Sequence, residues 1–245
     1  MTSHYFEKTS RVYNFSELPE ASPAKGEAVI VIAEIAHIKA LDLPEEELAR
    51  AAVITHQPSR DRYLAGRYLL RRILARWLGM SPRDIPIALS ASGKPFLSQH
   101  QYQISISHAA EVVAAVFSMQ PAGIDLEQER ALDVRALARR FFSPLEVEFL
   151  EQRQYLPGDF FRLWCCREAA IKADGRGLGQ LLSATRVMPR GMPFGDPVSD
   201  ALSVEIEGAG WSVYPWIMRG EMHGAVAFQE MPRVIHWCDL TESLG

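Results

Sequence analysis

The chain has 245 residues, 48% hydrophobic and 23% charged, which excludes a disordered, collagen-like or membrane-embedded polypeptide and provides for one large or two small domains. A formal net charge of −4 gives no global field for nucleic acid, so any anion site has to be assembled from local cations. Mean hydropathy is −0.06, no run nears the ~18 apolar residues of a membrane span, and MTSHYFEKTSRVYNF has no apolar leader core, which together predict a cytoplasmic protein.

The first apolar run, 28–36 (AVIVIAEIA), is β-branched and predicts a buried strand, and the polar stretch 45–56 predicts a helix. From Ser59 to Leu78, Leu70, Ile73, Leu74 and Trp77 recur at helical spacing, with Gly79 as the C-terminal cap. Arg60, Arg62, Arg67, Arg71, Arg72 and Arg76 make the rest of that helix basic; they read as a solvated face from which one or two residues are available for phosphate. Short strands are expected at 86–90, 102–107 and 112–118. In the middle one Tyr102, Ile104 and Ile106 alternate with polar residues, the pattern of a strand with one buried face. Gly123 opens a second half, with a strand from Ile124 to Glu127 and helical composition through Phe142. Ser143-Pro144-Leu145-Glu146 has the form of a capping box, and a further helix runs from about Asp159 to Asp174 and stops at Gly175. Strand-like runs at 202–207, 211–217 and 224–228 complete the pattern, and 189–200 (PRGMPFGDPVSD) reads as a surface loop. No repeat is present, and the mixed order favours α+β over a doubly wound parallel sheet. The three cysteines, two of them adjacent at Cys165-Cys166, form no disulfide framework and no metal spacing, and read as packing residues.

Four places carry chemistry. Asp125 and Glu127 are two apart on a strand, so both carboxylates share a face; either a hard cation lies between them or they point to solvent at the strand end. Glu168 and Lys172 share a helix face at i, i+4, a spacing that also serves ordinary surface pairs. Their apolar surroundings, from Leu163 to Ile171, favour burial and hence partners for both charges. Ser105-Ile106-Ser107-His108 ends a strand with hydroxyl and imidazole donors, and Gly93-Lys94-Pro95 is a turn with a lysine. Each signal alone is weak.

In this order and spacing the pieces resemble the Sfp-type 4′-phosphopantetheinyl transferases, whose pattern runs G-K-P, S-x-S-H, G-[IV]-D-x-E, F-[FS]-x-x-E and W-x-x-[KR]-E-[AS]-x-x-K-x-x-G-x-G-L. The chain has Gly93-Lys94-Pro95, Ser105 to His108, Gly123 to Glu127, Phe141 to Glu146 and Trp164 to Leu178. The resemblance covers about residues 60–178. It implies two similar α+β halves about a pseudo-two-fold axis, 1–119 and 120–232 followed by a tail at 233–245, with coenzyme A and Mg²⁺ in the cleft between them. By matching position, Asp125, Glu127 and Glu168 would hold Mg²⁺, and Asp125, Glu168 and Lys172 would form the catalytic group, with Glu168 the general base for the attacking serine. Lys172 and His108 would contact the phosphates of coenzyme A, Lys94, Pro95 and Ser107 would line its site, and Arg62 would lie near the nucleotide, with Arg50 a further candidate for the 3′-phosphate. Glu47 departs from the lysine of close family members, and Arg167 stands where lysine is common. Glu146 fits its capping box and reads as structural. The implied partner is an apo acyl-, peptidyl- or aryl-carrier protein, docking on Arg135, Arg139, Arg140 and the Phe141-Phe142 pair of a monomeric enzyme. Two rival readings use the same residues: a metal-dependent phosphohydrolase of coenzyme A-like substrates, and a non-catalytic binder of carrier proteins.

Overall fold

A computed structural model of the chain describes residues 18–37, 43–188 and 201–240; the loop expected at 189–200 lies outside these. Two sheets lie face to face between two long helices. In the first, β1 (Glu27–Glu34) pairs antiparallel with β5 (Val112–Ser118), and β5 pairs antiparallel with β4 (Gln103–Ala109). On its other edge β11 (Val234–Leu240) runs parallel to β1. The second sheet, all antiparallel, has the order β6 (Ala122–Gln128), β10 (Met222–Phe228), β9 (Ala209–Met218), β8 (Leu202–Ile206), β7 (Thr185–Met188). α2 (Gln57–Leu78) covers the outer face of the first sheet and α5 (Pro157–Asp174) that of the second.

Period-2 alternation builds these layers. In β1, Val29, Val31 and Ala33 pack under α2, while Ala28, Ile30 and Ile32 enter the core between the sheets. A strand buried on both faces requires an unbroken apolar run, which is what 28–36 displays. In β6, Ile124 and Leu126 enter the inter-sheet core with Val116, Tyr214, Val226 and Phe228, so Gly123, Asp125 and Glu127 face α5. Glycine at 123 is required there: a Cβ would lie 2.2 Å from Ala169 O and 2.3 Å from Ala173 N of the helix backbone.

The two sheets also meet edge to edge, where β4 lies beside β6. Ile124 N donates to Ser105 Oγ at 3.2 Å and Leu126 N to Ser107 Oγ at 3.2 Å, so hydroxyls on alternate residues of one edge satisfy alternate amides of the other. Such bonds contribute about 0.5–1.5 kcal/mol each against about 1.5–3 kcal/mol for each large apolar side chain of the inter-sheet core. The core therefore supplies most of the adhesion and the serines fix the alignment. The polar positions of β4, expected on a solvent face, are buried in this seam: Ser105 and Ser107 are 3% and 7% exposed.

α2 ends at Gly79, whose φ of 63° is the left-handed conformation of a helix cap. Two of its arginines depart from the solvated-face reading. Arg67 and Arg71 are buried, and with Glu47 of α1 (Glu45–Ala52) they form an ion cluster in which Arg71 Nε reaches Glu47 Oε2 at 2.9 Å. Glu47 is thus the counter-ion of α2. The stretch expected as a tail from 233 supplies β11, whose Cys238 and Leu240 are fully buried beside α2.

Candidate active site

β6 presents Asp125 and Glu127 to α5, and α5 presents Glu168 and Lys172 one turn apart to β6, so the strand pair and the helix pair meet as the spacing predicts. Lys172 Nζ is 2.6 Å from Asp125 Oδ1 and 3.0 Å from Ser107 Oγ, and Ser107 Oγ donates to the same Oδ1 at 3.0 Å. A hydroxyl has one proton and two lone pairs. Ser107 gives its proton to Asp125 and accepts from Leu126 N and Lys172, so its capacity is fully used inside the protein. Ser107, expected as a cofactor contact, fixes Asp125 and Lys172.

Charge in the site is unbalanced. Burial first, then Asp125, raises the Glu168 carboxyl to about 8, with Glu127 adding to the effect and Lys172 opposing it. Glu127 is also raised, by burial first and by Asp125, against the pull of Arg130. Burial draws the Lys172 ammonium down, but Asp125 and Glu168 outweigh it and leave its pKa above the ordinary value. Asp125 is 2% exposed, and its Oδ2 is buried without a hydrogen-bond partner. Among the described residues no three His, Cys, Asp or Glu side chains close into a ready-made metal cluster. An orphaned carboxylate oxygen and two carboxyls held toward their protonated form nevertheless suit a cation such as Mg²⁺, which takes one or two carboxylates and completes its shell with phosphates and water.

The turn Gly93-Lys94-Pro95 precedes β3 (Pro95–Leu97), which forms a hairpin with β2 (Ile87–Leu89). Lys94 Nζ donates to Ala122 O of β6 at 3.2 Å and Ala173 O of α5 at 3.1 Å, and Ser92 Oγ donates to Gly175 O at 2.6 Å, so this turn is stapled to the end of α5. Burial lowers the Lys94 ammonium to about 8, with Asp174 opposing. Between the turn and α5 lies a cavity of about 230 Å³ lined by Lys94, Pro95, Ile106, Ile171, Lys172 and Gly177. His108 stands at the exposed end of β4; partial desolvation first, with the charges of Lys172 and Arg62, lowers its pKa against an opposing backbone hydrogen bond and Asp125. Arg62 Nε donates to Ala110 O at 3.1 Å in the turn after His108, and borders a separate cavity of about 410 Å³ with Asp61 and Glu111. Arg50 is exposed on α1 and paired with Glu46 at 2.9 Å.

Two residues of the sequence pattern join each other outside this group. Glu146, in the first turn of α4 (Pro144–Gln152), closes the expected capping box with Ser143 and accepts from the single Arg167 Nη2 on both carboxylate oxygens at 2.7 Å. Arg167 is 0% exposed and also donates to Leu182 O and Thr185 O, so as a cation it serves Glu146 and the chain before β7. Of the residues expected to dock a partner, Arg135, Arg139 and Arg140 are exposed on α3 (Val134–Phe141), while Phe142 is buried against Phe160 and Trp164. Sequence reasoning passed over Arg130, whose Nη1 lies 2.6 Å from Glu127 Oε2. Its position three residues after Glu127 was the available signal.

Residues 121–208 match the family model described as the 4′-phosphopantetheinyl transferase superfamily. The chain is 38% identical over 153 residues to the 4′-phosphopantetheinyl transferase HetI of Nostoc sp. (strain PCC 7120), covering 58% of this chain and 63% of that protein. It is 32% identical over 139 residues to the 4′-phosphopantetheinyl transferase Sfp of Bacillus subtilis (strain 168), covering 54% of this chain and 60% of that protein. The matches thus span less than two thirds of these relatives. Asp125, Glu127, Glu168 and Lys172 all fall within residues 121–208, the part of the chain that is similar to the 4′-phosphopantetheinyl transferase superfamily model.

Proposed function

We propose that this protein transfers the 4′-phosphopantetheine arm of coenzyme A to a serine of an apo carrier protein, releasing 3′,5′-ADP. The observation that carries this reading is the bonded set of buried Asp125 and Ser107 with half-buried Lys172, Glu168 one turn away, at the mouth of a cleft bounded by the Lys94 turn and the end of α5. Coenzyme A would lie across that cleft, with Lys94 and Pro95 beside it, Arg62 toward the nucleotide and Arg50 a candidate for the 3′-phosphate. Asp125, Glu127 and Glu168 would hold Mg²⁺, which when bound neutralises charge developing on the pyrophosphate oxygens.

In the reaction the carrier serine oxygen attacks the β-phosphorus, its proton passes to Glu168, and the bond to the 3′,5′-ADP oxygen breaks. Lys172 places a fixed positive charge on the phosphate oxygens, and being locked to Asp125 and Ser107 it does so with little reorganisation. His108 donates an N–H to phosphate. With its carboxyl raised to about 8, Glu168 is more fully ionised for base work when further positive charge is bound beside it, which couples its readiness to the loaded site. The partner is an acidic carrier domain approaching the exposed Arg135, Arg139 and Arg140 of α3. The enzyme is read as a cytoplasmic monomer, its two sheet-and-helix pairs, dividing near residue 120, as similar halves about a pseudo-two-fold axis.

The test is product partition: coenzyme A and Mg²⁺ with and without a panel of apo carriers. Formation of 3′,5′-ADP only when a carrier is present, matched by holo-carrier, supports transfer. Free phosphopantetheine formed without carrier supports the phosphohydrolase, and carrier binding with no product supports the non-catalytic binder.

A further inference from the structure

We infer that Arg130 is a positioning residue for the Glu127 carboxylate, an inference that rests on reading Asp125, Glu127 and Glu168 as the metal-holding set. Glu127 is the penultimate residue of β6, where the sheet no longer confines a long side chain on all sides, and it repels both Asp125 of the same strand and Glu168 of α5. Arg130 Nη1 meets Glu127 Oε2 at 2.6 Å and touches only that oxygen, which leaves Oε1 for an ion. The guanidinium is itself held: Nη1 also donates to Gln128 O at 3.3 Å, and Cζ lies 5.4 Å from the centre of the Phe161 ring. Phe161 is 1% exposed and stacks at 6.1 Å on His223, whose Nε2 lies 2.7 Å from Glu129 Oε1. A chain of contacts therefore runs from the base of α5 to the carboxylate: Glu129, His223, Phe161, Arg130, Glu127. A half-exposed ion pair adds little to stability, so its effect is on where the carboxylate sits. Such a role is that of the outer partners that orient metal-binding groups in other proteins.

The experiment titrates the full chain with Mn²⁺ in the presence of coenzyme A, read by the electron paramagnetic resonance of free Mn²⁺, for wild type, Arg130→Gln, Arg130→Lys, Glu127→Gln and the Arg130→Gln/Glu127→Gln pair. Arg130→Gln is expected to weaken Mn²⁺ about 10-fold with an unchanged melting temperature, Arg130→Lys to recover part of the loss, and Arg130→Gln to add nothing once Glu127 is Gln. Unchanged or tighter Mn²⁺ binding in Arg130→Gln overturns the inference, as does an equal loss in the Glu127→Gln background. Absence of Mn²⁺ binding in the wild type overturns it together with the metal reading. Normal Mn²⁺ binding without carrier modification defeats the transferase reading and leaves the role of Arg130 standing.

Discussion

Ser107 gives its only proton to Asp125 and both lone pairs to Leu126 N and Lys172 Nζ, so Ser107→Ala leaves a buried amide without a partner and frees the lysine. The expected cost is about 1–3 kcal/mol by urea unfolding, with a fall in kcat larger than any rise in KM for coenzyme A, because the lysine loses the bond that fixes its position. Glu168 sets a pH dependence. Its carboxyl is raised from 4.5 to about 8, so the folded metal-free protein binds more protons than the unfolded chain across that interval. Stability from this group is full below about 4.5, declines as pH rises and is lost above about 8. Melting temperatures of the metal-free protein should show this decline, Glu168→Gln should flatten it, and Mg²⁺ with coenzyme A should stabilise the wild type most at the alkaline end. The sequence named Asp125, Glu127, Glu168 and Lys172 because strand and helix periods alone put each pair on one face. It could not assign Ser107, because whether a hydroxyl is used up inside the protein depends on which backbone lies beside it, and that backbone belongs to a strand 19 residues further on.

Element by element, α5 is the part on which the site depends. Its contact with β6 has no room for a side chain at Gly123, and Gly123→Ala would push a Cβ into Ala169 O and Ala173 N. Overpacking of this kind costs about 1–3 kcal/mol and more when backbone must move; it should also lower carrier modification beyond its effect on stability, because the Asp125–Lys172 contact is stretched. The Glu146–Arg167 pair gives the opposite signature. Removing one member of a buried ion pair costs about 3–5 kcal/mol, so Glu146→Ala should reduce stability by that order in chemical unfolding while the folded fraction retains its KM for coenzyme A. The capping box was legible because it is local, four residues with known roles. The bond from Glu146 to Arg167 was not, since nothing in either segment's periodicity points to a residue 21 positions away. For the same reason β7, four residues long, and the hairpin strand β3 carried too little pattern to be read.

At the scale of the whole molecule the adhesion lies in the core between the sheets, and the chain returns to the first sheet only at its end. The run 234–240 mixes apolar and polar residues and resembles a tail when read alone; its partner β1 lies some two hundred positions earlier, beyond the reach of any local pattern. Deletion of residues 234–245 therefore should destabilise the protein by several kcal/mol, because Ile235, Cys238 and Leu240 leave the core and an edge of β1 is exposed. A melting temperature unchanged by that deletion would contradict the role given to β11. The α+β class and the meeting of a strand carboxylate pair with a helix pair were both readable, since each follows from short-range periods added in order. The central claim is the transfer reaction itself, and it is tested most directly by the intact mass of apo carrier proteins incubated with coenzyme A, Mg²⁺ and either wild type or Glu168→Ala. The account predicts that the wild type adds one phosphopantetheine to a carrier serine and that Glu168→Ala adds it at least about 100-fold more slowly, as expected for loss of a general base. No mass gain on any carrier, or a gain unaffected by Glu168→Ala, would contradict it.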